Sequence, residues 1–202
     1  MISPDVYRVF ETICTAAAIK GEVLEVGAVV GPDSLLRMPC LRLASRRIGI
    51  NLTQAAVDAN CQIIQGNANH MPDFVDGQFE AVLCNATLEH DPYFWKTLDE
   101  IQLVTAPRGL IRIGVPGYGG MGAQSFLRNK PVAGWLLKVF ARLINSDVLR
   151  AGTATLGEHL FPGDYYRFSE QAVREIFLTG LVDITVSTVM QPPRFIGSGR
   201  KL

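Results

Sequence analysis

The hydrophobic positions of this 202-residue chain follow two patterns that alternate along its length. Short continuous apolar runs predict buried strands, and apolar residues spaced three and four positions apart predict amphipathic helices. The first pattern predicts seven strands, at 22–26, 47–50, 62–65, 79–84, 110–115, 182–189 and 194–197. The second predicts helices over 3–18, 32–38, 54–59, 92–105, 132–149 and 169–178.

This alternation predicts an α/β fold: a Rossmann-like, seven-stranded, mostly parallel sheet with helices on both faces. We expect a single domain over residues 1–202, because a second domain would have to be unusually small. Residues 117–157 break the alternation after the fifth strand and carry a helix of their own. They are expected to form a helical insertion that covers the substrate. Sheets of this kind bind ligands at the carboxyl ends of their strands.

Composition narrows the range of partners and compartments. Apolar residues make up 48% of the chain, which is enough for a sizeable core. Basic and acidic residues number 19 each, and this balance argues against general nucleic-acid binding. The opening stretch is interrupted by charges, which argues against a signal peptide. The cysteines lie in apolar stretches without metal-ligand spacing, so we expect buried free thiols, no metal site and a cytoplasmic protein. They are Cys14, Cys40, Cys61 and Cys84.

The turn after the first strand favours a positively charged ligand group. Gly27-Ala28-Val29 lacks the second glycine that lets a diphosphate approach the backbone. Glu25 lies at the end of the strand, where its carboxylate would repel a diphosphate but would suit an ammonium group. A nicotinamide-dependent oxidoreductase is therefore disfavoured.

Amide side chains follow three further strands. Asn51 follows the second strand, at the position where an acidic residue binds ribose hydroxyls in nucleotide-binding sheets. Asn67 follows the third strand, where amides could read an adenine edge, and Asn85 follows the fourth. Glu89 and His90 come next, and their position before a helix is also compatible with simple helix entry.

Taken together, these segments resemble a class I S-adenosylmethionine-dependent methyltransferase of the type 11 kind. The resemblance is carried by 23–31, 48–53, 65–71, 79–90 and 98–116, and by 192–196, which is similar to the family's final hairpin. It implies S-adenosylmethionine as the cofactor and methyl transfer to a small or lipid-linked acceptor. It also implies the cofactor-binding residues, which are Glu25, Gly27, Ala28, Asn51, Leu52, Asn67, Ala68, Asn85 and Ala86.

In the family's arrangement, Glu25 would bind the methionine amino group, with Gly27 and Ala28 close beneath it. The second strand would supply the ribose and adenine contacts through Asn51 and Leu52. The two residues after the third strand would meet the adenine edge, and the two after the fourth would lie beside the methionine portion.

The chain departs from the family pattern at three of these places. Val29 stands where the family has a second glycine, and a β-branched residue disfavours positive φ. Asn51 and Asn67 stand where acidic residues are usual, and an amide lacks the charge-assisted hydrogen bond of a carboxylate. A non-catalytic binding or partner protein of methyltransferase fold, with a weakened cofactor site, therefore stays the alternative.

Two groups of residues are candidates for the acceptor side. His90 is the first candidate for a general base, which methyl transfer needs only if the acceptor loses a proton. The segment 158–169 resembles a His and Asp-Tyr-Tyr-Arg-Phe run of related methyltransferases, and it supplies His159 and Tyr166 as further candidate catalytic residues. We expect the acceptor pocket between His90 and residues 159–167, although both groups are also compatible with purely structural roles.

The segment 132–144 is predicted to be a mostly apolar helix, with Lys138 and Arg142 on one face. It is too short to cross a bilayer. It could pack on the core as a lid, form a homodimer contact, or lie on a membrane surface. Of the last two the dimer is favoured, because interfacial helices usually carry more basic residues. This interpretation expects Trp135 and Phe140 to be partly exposed in the monomer and covered by a partner.

Overall fold

A computed structural model describes residues 2–53, 55–57, 61–120, 131–143, 145–146, 152–155, 157 and 163–202. Its strands are β1 (Glu22–Val26), β2 (Arg46–Asn51), β3 (Ala56–Val57), β4 (Gln62–Gln65), β5 (Phe79–Asn85), β6 (Thr105–Pro116), β7 (Tyr118–Gly120), β8 (Thr153–Thr155), β9 (Leu181–Val189) and β10 (Arg194–Lys201). Its helices are α1 (Pro4–Ala17), α2 (Phe94–Val104), α3 (Pro131–Leu143) and α4, which starts with Glu170–Ala172 and continues as a π-helical turn over Val173–Phe177. Shorter 3₁₀ turns cover Leu35–Arg37, Pro39–Leu41 and Leu88–His90.

Eight of these strands form one mixed sheet in the order β3-β4-β2-β1-β5-β6-β10-β9. The five central strands from β4 to β6 pair in parallel, while β10 is antiparallel to both β6 and β9. The predicted mostly parallel α/β sheet is confirmed, with one strand more than expected, because β3 pairs with β4 at the edge. The strand order reverses at β1, which has β2 on one side and β5 on the other. Open sheets bind ligands outside the carboxyl ends of the strands at such a reversal.

Helices cover both faces of the sheet, as the apolar strands predicted. Along β1, Leu24 and Val26 belong to one apolar cluster and Val23 to the other, because successive side chains of a strand point to opposite faces. The first cluster includes the buried residues of α2 and α4, and the second those of α1. The sheet is therefore buried on both faces. The ends of its strands are the part of the sheet that is left for a ligand.

Two predicted helices are wrong in type. The helix expected over 32–38 is replaced by the two 3₁₀ turns Leu35–Arg37 and Pro39–Leu41. Met38 separates these turns with an extended ψ of 133°, because a residue before proline is pushed out of the helical region. Of the helix expected over 54–59, the described Ala56–Val57 form an edge strand, and Gln54 and 58–60 lie outside the described residues.

Part of the insertion expected over 117–157 is described. β7 and β8 form a small antiparallel sheet of their own, and α3 covers much of the predicted helix. The predicted helix is too long, because 145–146 are not helical and Asn145 has a φ of +47°, and its residues 144 and 147–149 lie outside the described residues. None of the described helices is long and apolar enough to cross a membrane. Among the residues of α3 whose burial is described, Trp135 is 60% and Phe140 55% exposed, whereas Gly134 and Ala141 are buried.

A close contact between Gly27 and Thr87 joins the carboxyl ends of β1 and β5. Gly27 has a φ of +77°, and a Cβ on it would lie only 2.0 Å from Thr87 Oγ1. The same hydroxyl lies 3.2 Å from the carbonyl oxygen of Val26 and 3.1 Å from that of Asn85. Glycine is therefore needed at position 27 both for its left-handed backbone and for the approach of Thr87.

We expect Gly27→Ala to lower the free energy of unfolding by about 2–4 kcal/mol, through backbone strain and steric overlap. Urea denaturation of the purified protein measures this loss. Gly31→Ala is the matched control, since Gly31 also has a positive φ, +121°, but no atom lies within 4 Å of a Cβ there. Equal losses in the two variants would contradict a role for the Thr87 contact.

Candidate functional site

A cavity of about 530 Å³ opens at the carboxyl ends of β1 and β5, where the strand order reverses. Four of the predicted cofactor-binding residues line it, namely Glu25, Gly27, Asn85 and Ala86. Val29 contributes to the same wall, and the first residues of α1 and the start of β10 close the cavity from the other side. Topology and sequence prediction therefore point to the same place.

Glu25 is almost fully buried and holds the turn Leu35–Arg37 against the sheet. Its carboxylate accepts hydrogen bonds from the Ser34 hydroxyl at 2.5 Å and from the amides of Leu35 and Leu36 at 3.1 and 3.3 Å. Burial raises the pKa of the Glu25 carboxyl above its ordinary value, and these three hydrogen bonds oppose that shift. A buried carboxylate facing a cavity is suited to a cationic group, because a nearby cation would offset the cost of its ionisation.

The turn after β1 accommodates Val29 without strain. Its positive φ angles fall on Gly27 and Gly31, and Val29 is not among the described non-glycine residues with positive φ. The steric objection raised by the missing second glycine therefore does not apply to the backbone. What Val29 changes is the wall of the cavity, where a side chain replaces open space.

Asn51 has a role in the protein that a carboxylate could not perform. Its Nδ2 donates to the carbonyl oxygen of Ala28 at 2.7 Å, and its Oδ1 accepts from the amide of Thr53 at 2.9 Å. An aspartate has no N–H to donate, so it would set a negative charge against the carbonyl of Ala28. The amide at position 51 thus fixes the turn after β1, and it is more than a weaker substitute for a ribose-binding carboxylate.

The other predicted adenosine-side residues lie at the same sheet edge but outside the wall of this cavity. Leu52 is 66% exposed, and the Asn67 side chain accepts a hydrogen bond from the amide of Asn69 at 2.9 Å. Ala68 packs against the core at its edge. The turns that follow β2 and β4 are tied together by the amide of Gly66, which donates to the carbonyl of Asn51 at 2.9 Å.

Asn85 ends β5 and leaves a polar atom unused beside the cavity. Its Oδ1 is buried and has no hydrogen-bond partner among the described residues. The next residue, Ala86, has a φ of +53° and donates its amide to the carbonyl of Gly114 at 2.9 Å. A buried acceptor without a donor is costly, so a ligand that donates to Asn85 would be stabilised here.

The predicted acceptor residues are only partly brought together. His90 ends the turn Leu88–His90 next to β5, and it does not line the described cavity. Residues 165 and 166 pack directly on this turn, since their amides donate to the Glu89 carbonyl at 2.8 and 3.2 Å. The Tyr166 hydroxyl donates to the Pro92 carbonyl at 3.1 Å, which gives this side chain a structural role. His159 lies outside the described residues.

An ion pair that the sequence did not reveal lies next to the cavity. Arg194, at the start of β10, lines the cavity, and its Nη2 is 3.6 Å from Oε1 of the fully buried Glu89. Among the described residues neither carboxylate oxygen of Glu89 has a hydrogen-bond partner, and neither do Nε and Nη2 of Arg194. Burial raises the pKa of the Glu89 carboxyl to about 7, against the opposing charge of Arg194. The sequence analysis noted Glu89 but could not reveal Arg194 as its partner, because only the sheet order brings β10 to Glu89.

Comparison with known proteins agrees with the fold. The family model of the methyltransferase domain matches residues 24–113. The chain is similar to Haemonchus contortus phosphoethanolamine N-methyltransferase 2 in complex with phosphomonomethylethanolamine and S-adenosylhomocysteine. The TM-score is 0.64 at 13% identity, over 98% of this chain and 53% of that chain. This chain thus spans about half the length of the Haemonchus enzyme. No curated protein matches the chain.

Two further solved structures share the fold. One is Burkholderia thailandensis 1,6-didemethyltoxoflavin-N1-methyltransferase with bound 1,6-didemethyltoxoflavin and S-adenosylhomocysteine. Its TM-score is 0.61 at 16% identity, over 96% of this chain and 77% of that one. The other is a Haloferax volcanii complex that contains the Trm112 methyltransferase activator, with a TM-score of 0.57 at 16% identity, over 97% of this chain and 90% of that one.

The family match, over less than half of the chain, and the shared fold agree with the predicted resemblance to class I S-adenosylmethionine-dependent methyltransferases. The part that matches the methyltransferase-domain model runs from within β1 to within β6, and it includes the turns after β1, β2, β4 and β5.

The raised pKa of Glu89 predicts a loss of stability as pH rises. The folded protein binds the Glu89 proton more tightly than the unfolded chain does. The resulting stabilisation is therefore complete below the ordinary pKa of 4.5 and is lost as pH rises through about 7. We expect Glu89→Gln to lack this loss, so its unfolding free energy should fall less between pH 5 and pH 8, by about 2–3 kcal/mol.

Urea denaturation at the two pH values measures the difference between variant and parent. Glu170→Gln is the matched control, because Glu170 also pairs with an arginine, Arg174, but is half exposed. Arg194, Arg167 and Asp164 act on the Glu89 carboxyl and remain in both proteins. If parent and Glu89→Gln lost the same stability, Glu89 would not be the group that titrates.

Proposed function

We propose that this chain transfers a methyl group from S-adenosylmethionine to a small or lipid-linked acceptor. The observation that carries the proposal is the buried carboxylate of Glu25 in a cavity at the strand reversal of a methyltransferase fold. The alternative is a non-catalytic binding or partner protein of the same fold.

The residues around the cavity suit this cofactor in charge and in hydrogen bonding. Glu25 would hold the methionine ammonium group, and the unused Oδ1 of Asn85 offers a second acceptor nearby. Gly27, Ala28 and Ala86 would pass beneath the methionine portion as backbone without bulky side chains. The open surface at the ends of β2 and β4, with Asn51, Leu52, Asn67 and Ala68, would take the ribose and adenine.

The departures from the family pattern give the non-catalytic alternative little support, because they do not disrupt the turn after β1. Val29 causes no backbone strain, and Asn51 supports the turn after β1 instead of leaving it loose. Both features are compatible with a cavity that still holds a ligand. The decision between the two functions therefore depends on whether the cofactor binds.

The bound cofactor would supply an electrophilic methyl group, so the chain's own task is mainly to align the acceptor with it. Where the acceptor must first lose a proton, His90 remains the nearest candidate base after β5, and His159 a second one. Tyr166 is better assigned to positioning, because its hydroxyl is held by the Pro92 carbonyl and its ring packs on Phe94 and Phe168.

We expect the parent to bind S-adenosylhomocysteine in isothermal titration calorimetry, and NAD not to bind. Glu25→Gln should weaken the affinity by about 30-fold or more, because it removes a buried ammonium–carboxylate contact while keeping the side chain's shape. Glu22→Gln is the matched control on the same strand, since Glu22 lies at the other end of β1 and accepts from Gln78.

An unchanged affinity in Glu25→Gln would show that the cofactor's ammonium group lies elsewhere. A folded parent that does not bind S-adenosylhomocysteine would favour the non-catalytic alternative. A protein that binds it without transferring a methyl group to any offered acceptor would leave the cofactor site intact and the acceptor unknown.

We also propose that α3 forms a homodimer contact, with membrane-surface contact as the less favoured possibility. The lid expected from the sequence would bury the apolar side of this helix. The helix is buried at Gly134 and Ala141, while Trp135 and Phe140 are more than half exposed, and this exposure supports a contact outside the chain. The helix carries only Lys138 and Arg142 as basic residues, few for attraction to anionic lipids. A cytoplasmic location, proposed from the free cysteines, is compatible with such a dimer.

Light scattering should give a dimer for the parent and a monomer for the variant Trp135→Glu/Phe140→Glu, because burying two carboxylates in an apolar contact is costly. Lys138→Glu is the matched control, which changes charge on the same helix without removing apolar area. Binding of a monomeric parent to anionic vesicles would overturn the dimer in favour of the membrane contact.

A further inference from the structure

We propose that Arg194 is the binding site for an anionic group, carboxylate or phosphate, on the methyl acceptor. This inference rests on the proposed function, and it narrows the acceptor to molecules that carry a negative charge. The observation behind it is a mostly buried arginine that lines the cavity and whose Nε and Nη2 have no hydrogen-bond partner within the described part of the chain.

A second buried pair in the same region shows what a completed arginine–carboxylate contact looks like in this protein. Arg167 donates to both carboxylate oxygens of Asp164, at 2.5 and 2.7 Å, in the bidentate geometry that arginine favours. The Arg194–Glu89 pair is open by comparison, with 3.6 Å between its nearest atoms. The closed pair is absent from the cavity wall, and the open pair contributes Arg194 to it.

Leaving two buried guanidinium nitrogens without hydrogen bonds is costly, so an open pair beside a cavity requires an explanation. Arg112, a third buried arginine, also has two unpartnered nitrogens, but it lies inside the core. There it donates to the Val9 carbonyl and stacks over the ring of Phe10. Arg194 has neither of these contacts, and it is 12% exposed toward a space large enough for a ligand.

Glu89 does not neutralise Arg194 completely. Its carboxylate is close but not hydrogen-bonded, and burial raises the pKa of its carboxyl to about 7, so part of the population is protonated at neutral pH. The positive charge of Arg194 is therefore only partly compensated, and it can attract an anionic ligand. An incoming carboxylate or phosphate would match the planar fork of N–H groups that arginine presents.

The sheet order places this charge on the acceptor side of the cavity. Glu25 lies on β1, and β10 is three strands further on, about 14 Å at the usual spacing between strands. The proposed adenosine surface lies in the opposite direction, on β2 and β4. Arg194 also adjoins Glu89, the neighbour of His90, and residues 165 and 166 pack on the same turn. An anion at Arg194 would therefore belong to the molecule that enters opposite the cofactor.

Sulfate is a suitable probe, because it offers the oxygens of such a group and does not titrate near neutral pH. Calorimetric titration of sulfate into the protein saturated with S-adenosylhomocysteine should show binding. Arg194→Met should weaken it about tenfold or more, since the anion loses its charged donor. Arg200→Met is the matched control, because Arg200 lies on the same strand but donates to the Arg108 carbonyl, away from the cavity.

Glu89→Gln provides a test with the opposite sign. Removing the competing carboxylate should strengthen sulfate binding severalfold, whereas a merely structural pair would give no gain. This variant also keeps the proposal testable if Arg194→Met does not fold. Sulfate binding that is absent in the parent, or unchanged in both variants, would overturn the proposal.

The same titrations separate an anion of the acceptor from the carboxylate of the cofactor. If Arg194 holds the acceptor, Arg194→Met should bind S-adenosylhomocysteine as tightly as the parent does. If Arg194→Met loses that affinity but still binds 5′-methylthioadenosine, which lacks the amino-acid portion, the arginine belongs to the cofactor and the proposal is wrong. A parent that does not bind S-adenosylhomocysteine defeats the proposed function, and sulfate binding to the unliganded protein then decides the anion site independently.

Discussion

Burial of the Glu25 carboxylate is the constraint on which the ligand-binding end of this sheet depends. The side chain ends a central strand, and it remains in the interior because Ser34 and two backbone amides donate to it. These three donors in turn hold the segment after the β1 turn in a 3₁₀ conformation. One carboxylate thus fixes both the floor and one wall of the cavity. Its raised pKa indicates that part of the cost of burial is still uncompensated without a cation.

Two residues that depart from the family pattern, Val29 and Asn51, are linked through the turn after β1. Asn51 holds the Ala28 carbonyl, and the Ala28 side chain lies where a Cβ on Gly49 would meet it at 2.3 Å. The glycine of β2 therefore makes room for the alanine, and the amide of Asn51 fixes its backbone. With the turn held from β2, its positive φ angles can fall on Gly27 and Gly31, and Val29 can keep an ordinary backbone conformation.

Sequence reasoning predicted the elements whose burial is a repeating pattern, and it missed those set by single contacts across the fold. Strands such as β5 were found because their apolar runs are buried on both faces. The helix expected over 32–38 was wrong because donation to Glu25 and the proline at 39 decide that segment, and neither effect shows in periodicity. Arg194 could be read only as the start of a strand, because its partner Glu89 is brought to it by the antiparallel return of β10.

In the candidate site, too, some features were predictable from the sequence and others depend on single contacts across the fold. It was predictable that Glu25, Gly27, Asn85 and Ala86 line one cavity, because they lie at the carboxyl ends of strands that must meet at one edge. The role of Tyr166 was not, since the sequence does not show that its hydroxyl is held by the Pro92 carbonyl.

The two ends of the cavity carry opposite charge, and this polarity follows from the topology rather than from any local motif. Glu25 lies on β1, and Arg194 comes from the hairpin that returns beside β6. Asp33 adds a second carboxylate to the cavity wall, whereas Gly27, Asn85 and Ala86 are uncharged. A cationic group at one end and an anionic group at the other would each relieve a buried charge that the protein itself compensates only in part. If the proposed methyl transfer takes place in this cavity, alignment by groups held at Glu25 and Arg194 would contribute more to the reaction than a general base.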